Sequence, residues 1–248
     1  MGLLARVIDS PHYPTVTRPR ILLLHGGLGA RDQMGPLAGH LEARLDPVSL
    51  DLPGHGNADL GGGGFDLQTM RARVVHELES WHLGRVAVFG YSMGGYVALE
   101  VARRRPDLVS VVITLGTKFD WTPESAAKET RHLDAGTIKA KVPYFAEQLE
   151  RRHTALGWEA VLTHTAGLMA SLGNAPELNP EKLREIHCPV RIMVGDQDGT
   201  VSVEESLAAS RAMERGELEV LPGVAHPFEK APLERISRSI VEVVAGVA

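Results

Sequence analysis

One stretch constrains the fold of this chain more than any other: Arg85-Val-Ala-Val-Phe-Gly-Tyr-Ser-Met-Gly-Gly-Tyr-Val-Ala98. Val86 to Phe89 is an apolar, β-branched run of the kind that forms a buried strand. It breaks into Gly90-Tyr91-Ser92-Met93-Gly94, and an apolar helical pattern then runs from Tyr96 through Leu99 and Ala102. Strand, Gly-x-Ser-x-Gly and helix in that order predict a turn so sharp that the serine takes a strained backbone conformation. Gly90 and Gly94 suit it because they lack Cβ, and Gly95 lets the helix lie close to the sheet. The result is a serine hydroxyl held clear of the backbone at a helix N-terminus, where free N–H groups favour developing negative charge.

The 248 residues suffice for one large α/β domain with room for an inserted subdomain. Apolar content of 44% and charged content of 23% are ordinary for a globular chain. The net charge of −5, from 26 Lys+Arg against 31 Asp+Glu, argues against a nucleic-acid or anionic-membrane partner. No run of eighteen apolar residues predicts a transmembrane helix. Met1-Gly-Leu-Leu-Ala-Arg6 lacks the basic start and long apolar core of a signal peptide. Cys188, the single cysteine, allows no internal disulfide, and together these features suggest a cytoplasmic protein. A monomer and a homodimer fit the sequence equally.

Residues 1–19 are punctuated by Pro11, Pro14 and Pro19, with an edge strand expected around Leu3 to Ile8. Arg20 to Leu24 is the first buried strand and ends in His25-Gly-Gly-Leu-Gly29. A helix is expected over Arg31 to Arg44, then a strand over Pro47 to Leu50 leading into Asp51-Leu-Pro-Gly-His-Gly56. Gly61 to Gly64 reads as a flexible linker, and Phe65 to His82 as a helix. Leu108 to Leu115 is another buried strand. From Gly116 to about Cys188 strand signals vanish. Helical patterns follow at Glu124–Leu133, Val142–Leu156, Trp158–Leu172 and Pro180–Ile186. Alternation resumes with a strand over Pro189–Val194, a helix over Val203–Arg215, a strand over Glu217–Leu221 and a helix over Leu233–Ala245. Strands alternating with helices predict a mainly parallel sheet with helices on both faces, interrupted by an all-helical insertion.

In open parallel sheets, sites lie beyond the carboxyl ends of the strands. Three polar residues fall just after strands in the order serine, aspartate, histidine: Ser92, then Asp198 in Gly195-Asp-Gln-Asp198, then His226 in Ala225-His-Pro227. That set predicts a nucleophile, a carboxylate and a general base. Asp196 also follows the strand. Asp198, farther along the loop, is favoured to reach the His226 loop, and Asp196 is expected to hold the turn through backbone amides. Asp120 is the poorest of the three aspartates. An oxyanion needs N–H donors; Met93, next to the serine, supplies one, and the glycine loop supplies the other, Gly27 ahead of Leu28. His25 and His55 are expected to bond backbone and fix their loops. The spacing of His25, His55 and His226 matches no metal-ligand pattern, and no metal or other cofactor is expected.

Taken together, His25-Gly-Gly27, Asp51-Leu-Pro-Gly-His-Gly56, Gly90-Tyr-Ser-Met-Gly94, Gly195-Asp-Gln-Asp198 and Ala225-His-Pro227 resemble the α/β-hydrolase superfamily over nearly the whole chain. The resemblance implies a sheet of up to eight strands, with the short N-terminus leaving one or both leading antiparallel strands abbreviated or absent. It implies a core domain of residues 1–116 and 188–248, with residues 117–187 as a helical cap over the site. By position it implies Ser92 as nucleophile, Asp198 as acid, His226 as base, and Gly27 and Met93 as oxyanion donors. The motifs are similar to those of small capped esterases and also to the menaquinone-pathway synthase, a pyruvate-eliminating lyase. In that lyase an arginine usually follows the glycines of the elbow; Tyr96 stands there in this chain. Haloalkane dehalogenases and epoxide hydrolases place an aspartate where this chain has Ser92.

The expected reaction is hydrolysis of a small or medium acyl ester through an acyl-enzyme, with a small-molecule ester or acyl compound as partner. Phe119, Trp121, Tyr144, Phe145, Trp158, Leu168 and Met169 supply the apolar bulk of the insertion, most of it for packing. His132, Lys139, Lys141, Arg151 and Arg152 read as a solvated face rather than as a site for an acidic substrate. The competing readings are a lyase or carbon–carbon bond hydrolase with the same three residues, a low-turnover small-molecule receptor, and a noncatalytic interaction protein.

Overall fold

The computed structural model describes residues 18–247; the edge strand expected at Leu3–Ile8 lies outside them. Six strands, β1 (Arg20–Leu24), β2 (Asp46–Leu50), β3 (Val86–Tyr91), β4 (Val109–Leu115), β5 (Val190–Gly195) and β6 (Gly216–Leu221), form one parallel sheet in the order β2-β1-β3-β4-β5-β6. The period-two alternation of side chains separates two apolar layers. Ile21, Leu23, Ala87, Phe89, Val111 and Ile113 pack with α1 (Gly35–Leu41) and α10 (Leu233–Ala245). Leu22, Leu24, Val88 and Val112 pack on the other face with α2 (Leu67–Ser80), α3 (Met93–Arg104) and α9 (Val203–Ala212). Strands buried on both sides read as continuous apolar runs, which is how β1, β3 and β4 were visible in the sequence.

Between β4 and β5 the chain forms the helical insertion: α4 (Pro123–Thr130), α5 (Ala135–Lys141), α6 (Pro143–Arg152) and α7 (Trp158–Asn174), followed by the short α8 (Pro180–Leu183). Ile138, Ala146, Leu149, Trp158 and Leu162 give it an apolar cluster of its own. Leu168 and Leu172 on α7 join the main core instead. At Gly173 the helices α7 and α4 approach so closely that a Cβ would stand 2.7 Å from Ala126 Cβ.

Two expected boundaries are corrected and one helix is added. The helix expected over Arg31–Arg44 is a 3-10 turn at Arg31–Met34 followed by α1, because Pro36 lacks an N–H and can enter a helix only at its first turn. The elbow helix starts at Met93, not Tyr96. Ser92 O already accepts from the Gly95 and Tyr96 amides, and a first turn of Met93, Gly94 and Gly95 carries no apolar periodicity. The separate helix α5 was not expected. Its signal is local, an Asp134 cap accepting from the Thr137 amide at 2.7 Å. Among the described residues no helix is long and apolar enough to cross a membrane.

Candidate active site

The strand order reverses between β1 and β3, which places the crevice of a parallel sheet beside Ser92. Register pairs Leu24 with Gly90, Tyr91 with Leu115, and Gly195 with Leu221, so the loops after these strands open along one edge. Ser92 has φ 50° and ψ −114°, a strained geometry for a residue with a side chain. Its surroundings hold it there. The Ser92 amide donates to Leu115 O at 2.8 Å, and Thr117 Oγ1 donates to Ser92 O at 3.0 Å. A Cβ at Gly90 would stand 2.3 Å from Gly95 N, and one at Gly94 would stand 2.5 Å from both Leu24 O and His25 O. The turn is therefore as tight as the sequence predicts.

Asp198 and His226 meet. His226 Nδ1 donates to Asp198 Oδ2 at 2.8 Å, and Asp198 Oδ1 accepts from the Thr200 and Val201 amides at 2.9 Å each. Burial alone would raise the Asp198 pKa; the hydrogen bond from His226 and those two amides outweigh it and leave the carboxyl below its ordinary value. The Asp198 side chain is 3% exposed and that of His226 22%, so the carboxylate is sealed while the ring stays accessible. Asp196 does the other work, its Oδ1 accepting from the Gly223 amide at 2.6 Å. Asp120 is exposed, and its amide donates to Glu205 Oε1. Gly116, with φ 61°, lies against the pair: a Cβ there would come within 3.3 Å of both Asp198 Oδ2 and His226 Nδ1. The residue before the serine completes the contact. Tyr91 OH donates to His226 O at 2.9 Å, and the Tyr91 and His226 rings lie 5.5 Å apart. Ser92 Oγ itself makes no hydrogen bond to the His226 ring within 3.5 Å in this structure.

The glycine loop is pinned peptide by peptide. Gly26 O accepts from His25 Nδ1 at 2.8 Å and from the Gly29 amide at 3.0 Å. Since His25 Nε2 accepts from the Leu52 amide at 3.1 Å, the proton belongs on Nδ1. Gly27 O faces His55 Nε2 at 2.9 Å and accepts from Thr165 Oγ1 at 3.2 Å. Leu28 O accepts from Arg152 Nη1 and His153 Nε2, while His153 Nδ1 accepts from the Gly56 amide. The structural role expected for His25 and His55 is what these bonds give. Arg152, by contrast, leaves the expected solvated face, being 16% exposed and paired with Asp32; Lys139, Lys141, Arg151 and His132 remain exposed. Burial holds the His25 and His55 pKa values down and that of His153 to about 4, which favours the neutral ring in each. No group of three or more His, Cys, Asp or Glu among the described residues is arranged to hold a metal ion.

Gly27, Ser92 and Met93 line one small cavity of about 50 Å³ with Leu67, Tyr96, Lys118, Trp121, Thr165, Leu168, Met169 and Leu172. Leu28 instead packs on the insertion's own cluster, so of the two loop candidates only Gly27 reaches the cavity. Of the apolar residues expected in the insertion, Trp121, Leu168 and Met169 line the cavity. Phe119, Phe145 and Trp158 pack, and Tyr144 is exposed. Tyr91, Lys118 and Thr165 were missed. Lys118 lies three residues after β4 and was open to the same after-strand rule that found Ser92.

Residues 21–239 match the alpha/beta hydrolase family. A pimeloyl-[acyl-carrier protein] methyl ester esterase of Aromatoleum aromaticum is 33% identical over 178 residues, which cover 68% of each chain. An (E)-2-((N-methylformamido)methylene)succinate hydrolase of Acinetobacter baylyi is 20% identical over 89% of this chain and 88% of its own. Among solved structures, NosK from Streptomyces actuosus superposes with a TM-score of 0.78 at 22% identity, covering 93% of this chain and 99% of its own. The elbow at Ser92, the parallel sheet that carries it and a match spanning nearly the whole described chain agree: this protein belongs to the alpha/beta hydrolase family.

Proposed function

We propose that the protein is a serine hydrolase that cleaves small to medium carboxylic esters with Ser92, His226 and Asp198. The hydrogen bond between Asp198 and His226, at the rim beside the strained elbow, is the observation that carries this reading. His226 takes the Ser92 proton through Nε2 as Oγ attacks the ester carbonyl, and Asp198 holds the ring tautomer and stabilises the imidazolium. The bond between Ser92 and His226, open in this structure, closes on the substrate; such bonds often tighten only in the complex. The amides of Gly27 and Met93 take the oxyanion, a donor of this kind contributing about 3 kcal/mol. His226 returns the proton to the departing alcohol, and a water activated by the same ring then releases the acid.

Residues 117–187 act as a cap that sizes the substrate, since α7 supplies Thr165, Leu168, Met169 and Leu172 to the cavity wall. Tyr96 fills the place where the lyase similarity calls for an arginine. Its hydroxyl is occupied, accepting from the Leu178 amide at 2.7 Å, so that position offers no cation to a carboxylated lyase substrate. The names of the A. aromaticum and A. baylyi relatives, a methyl ester esterase and a succinate-derivative hydrolase, are consistent with acyl cleavage.

The test is Ser92→Ala. The wild type hydrolyses p-nitrophenyl butyrate and takes a fluorophosphonate label; the variant does neither and keeps its circular-dichroism spectrum and melting temperature. Retained hydrolysis in a folded Ser92→Ala protein overturns the proposal.

A further inference from the structure

Two polar residues that line the Ser92 cavity have no part in the ester chemistry. Trp121 lines the cavity, and its indole Nε1–H is buried without a hydrogen-bond partner among the described residues. Buried donors are almost always paired, so an unpaired one beside a reaction centre asks what pairs it. Lys118 lines the same cavity, its side chain only 11% exposed and its ammonium 5.8 Å from the Trp121 ring centroid.

The ammonium has three N–H donors. One reaches Thr200 O at 3.2 Å and one lies 3.5 Å from Glu205 Oε2, which leaves a third. Glu205 does not belong to Lys118 alone. Its Oε1 accepts from the Phe119 and Asp120 amides at 2.9 and 3.3 Å, and its Oε2 from the Ser202 amide at 3.1 Å. The carboxylate thus ties down the loop after β4 and caps α9, with its charge shared among those donors. Leu67, Leu168, Met169 and Leu172 make the rest of the wall apolar. Lys118 and Trp121, which carry an ammonium and an indole N–H, thus line one cavity whose remaining wall is mostly apolar, and such donors select an acceptor that carries negative charge, because a charge-assisted bond is the stronger one.

Resting on Ser92 as the nucleophile, we propose that Lys118 and Trp121 bind a carboxylate on the substrate a short chain away from the scissile carbonyl. The substrate class is then short monoesters of dicarboxylic acids.

The experiment measures binding apart from turnover. Monomethyl succinate and methyl butyrate, equal in length and differing in the terminal carboxylate, are titrated calorimetrically into Ser92→Ala. Monomethyl succinate is expected to bind about tenfold more tightly, and Lys118→Met or Trp121→Phe in that background to remove most of the difference between the two esters. In the active enzyme the same substitutions lower kcat/KM for the monoester through KM. Equal binding of the two esters, or Lys118→Met weakening both alike, overturns the proposal. Selective binding of monomethyl succinate to a wild type that takes no fluorophosphonate label upholds it and sinks the nucleophile assignment instead.

Discussion

The hydroxyl of Tyr91, the residue immediately before the elbow serine, donates to the backbone carbonyl of His226 at 2.9 Å. One strand end therefore fixes both the serine and the loop of its histidine partner, across 135 residues of sequence. Burial, with Glu229 and Asp198 nearby, pushes the phenol pKa up, so Tyr91 stays a neutral donor throughout the working pH range. Tyr91→Phe keeps the ring against Phe228 and loses only the bond. It should lower kcat about three- to tenfold with KM nearly unchanged, and stability by about 1 kcal/mol. Steady-state kinetics and thermal melts check both.

The two aspartates after β5 should separate cleanly. Asp198→Asn leaves a side chain of the same shape but inverts the preference for the ring tautomer, so kcat at neutral pH should fall by about 10³–10⁴. Asp196→Ala loses the bond to the Gly223 amide and should lower stability by about 1 kcal/mol while kcat changes less than about threefold. Ester hydrolysis and chemical denaturation of both variants distinguish these outcomes.

Acid should loosen the contact between the insertion and the glycine loop. His153 is held to a pKa of about 4 in the fold by burial and titrates near 6.5 when unfolded. Between those values the unfolded chain binds the proton and the native chain does not, so stability rises with pH across that window and is complete above it. On lowering the pH from 7 to 4, His153 alone should account for a loss of roughly 3 kcal/mol, with His25 and His55 adding in the same direction. Denaturation midpoints measured from pH 4 to 8 should show the slope, and His153→Gln should flatten it. An unchanged slope in that variant would remove His153 from the account.

Two glycine substitutions should have opposite signs. Gly94→Ala drives a Cβ to 2.5 Å from Leu24 O and His25 O, backbone atoms at the end of β1 that cannot yield, and should destabilise by several kcal/mol or prevent folding. Gly39→Ala, on α1 with nothing within 4 Å of the new Cβ, should stabilise by about 0.5–1 kcal/mol. Melting temperatures of the pair provide the comparison.

The elements legible in the sequence were those whose cause is local. The apolar runs of β1, β3 and β4 declare strands buried on both faces, and the glycines around Ser92 declare close backbone approach. Asp198 was separable from Asp196 because two residues of loop decide which side chain turns toward His226 and which toward its own turn. What escaped depends on distant partners. Thr165 and Arg152 sit in ordinary amphipathic helices, and only folding brings them to Gly27 O and Leu28 O. Lys118 resembles any loop lysine until Trp121 and the cavity surround it. Helix α5 hid because Gly136 and two β-branched residues dilute its propensity, leaving the Asp134 cap as its one signal.

The pins on the glycine loop come from both sides of the molecule: His25 and His55 from the sheet, and Thr165, Arg152 and His153 from the insertion. The geometry of the Gly27 peptide is accordingly shared between the loops of the sheet and the helical insertion, and the two cannot be exchanged independently. A chimera that grafts a foreign insertion onto this sheet inherits a detuned loop unless it also carries a hydroxyl, a guanidinium and an imidazole to those same carbonyls.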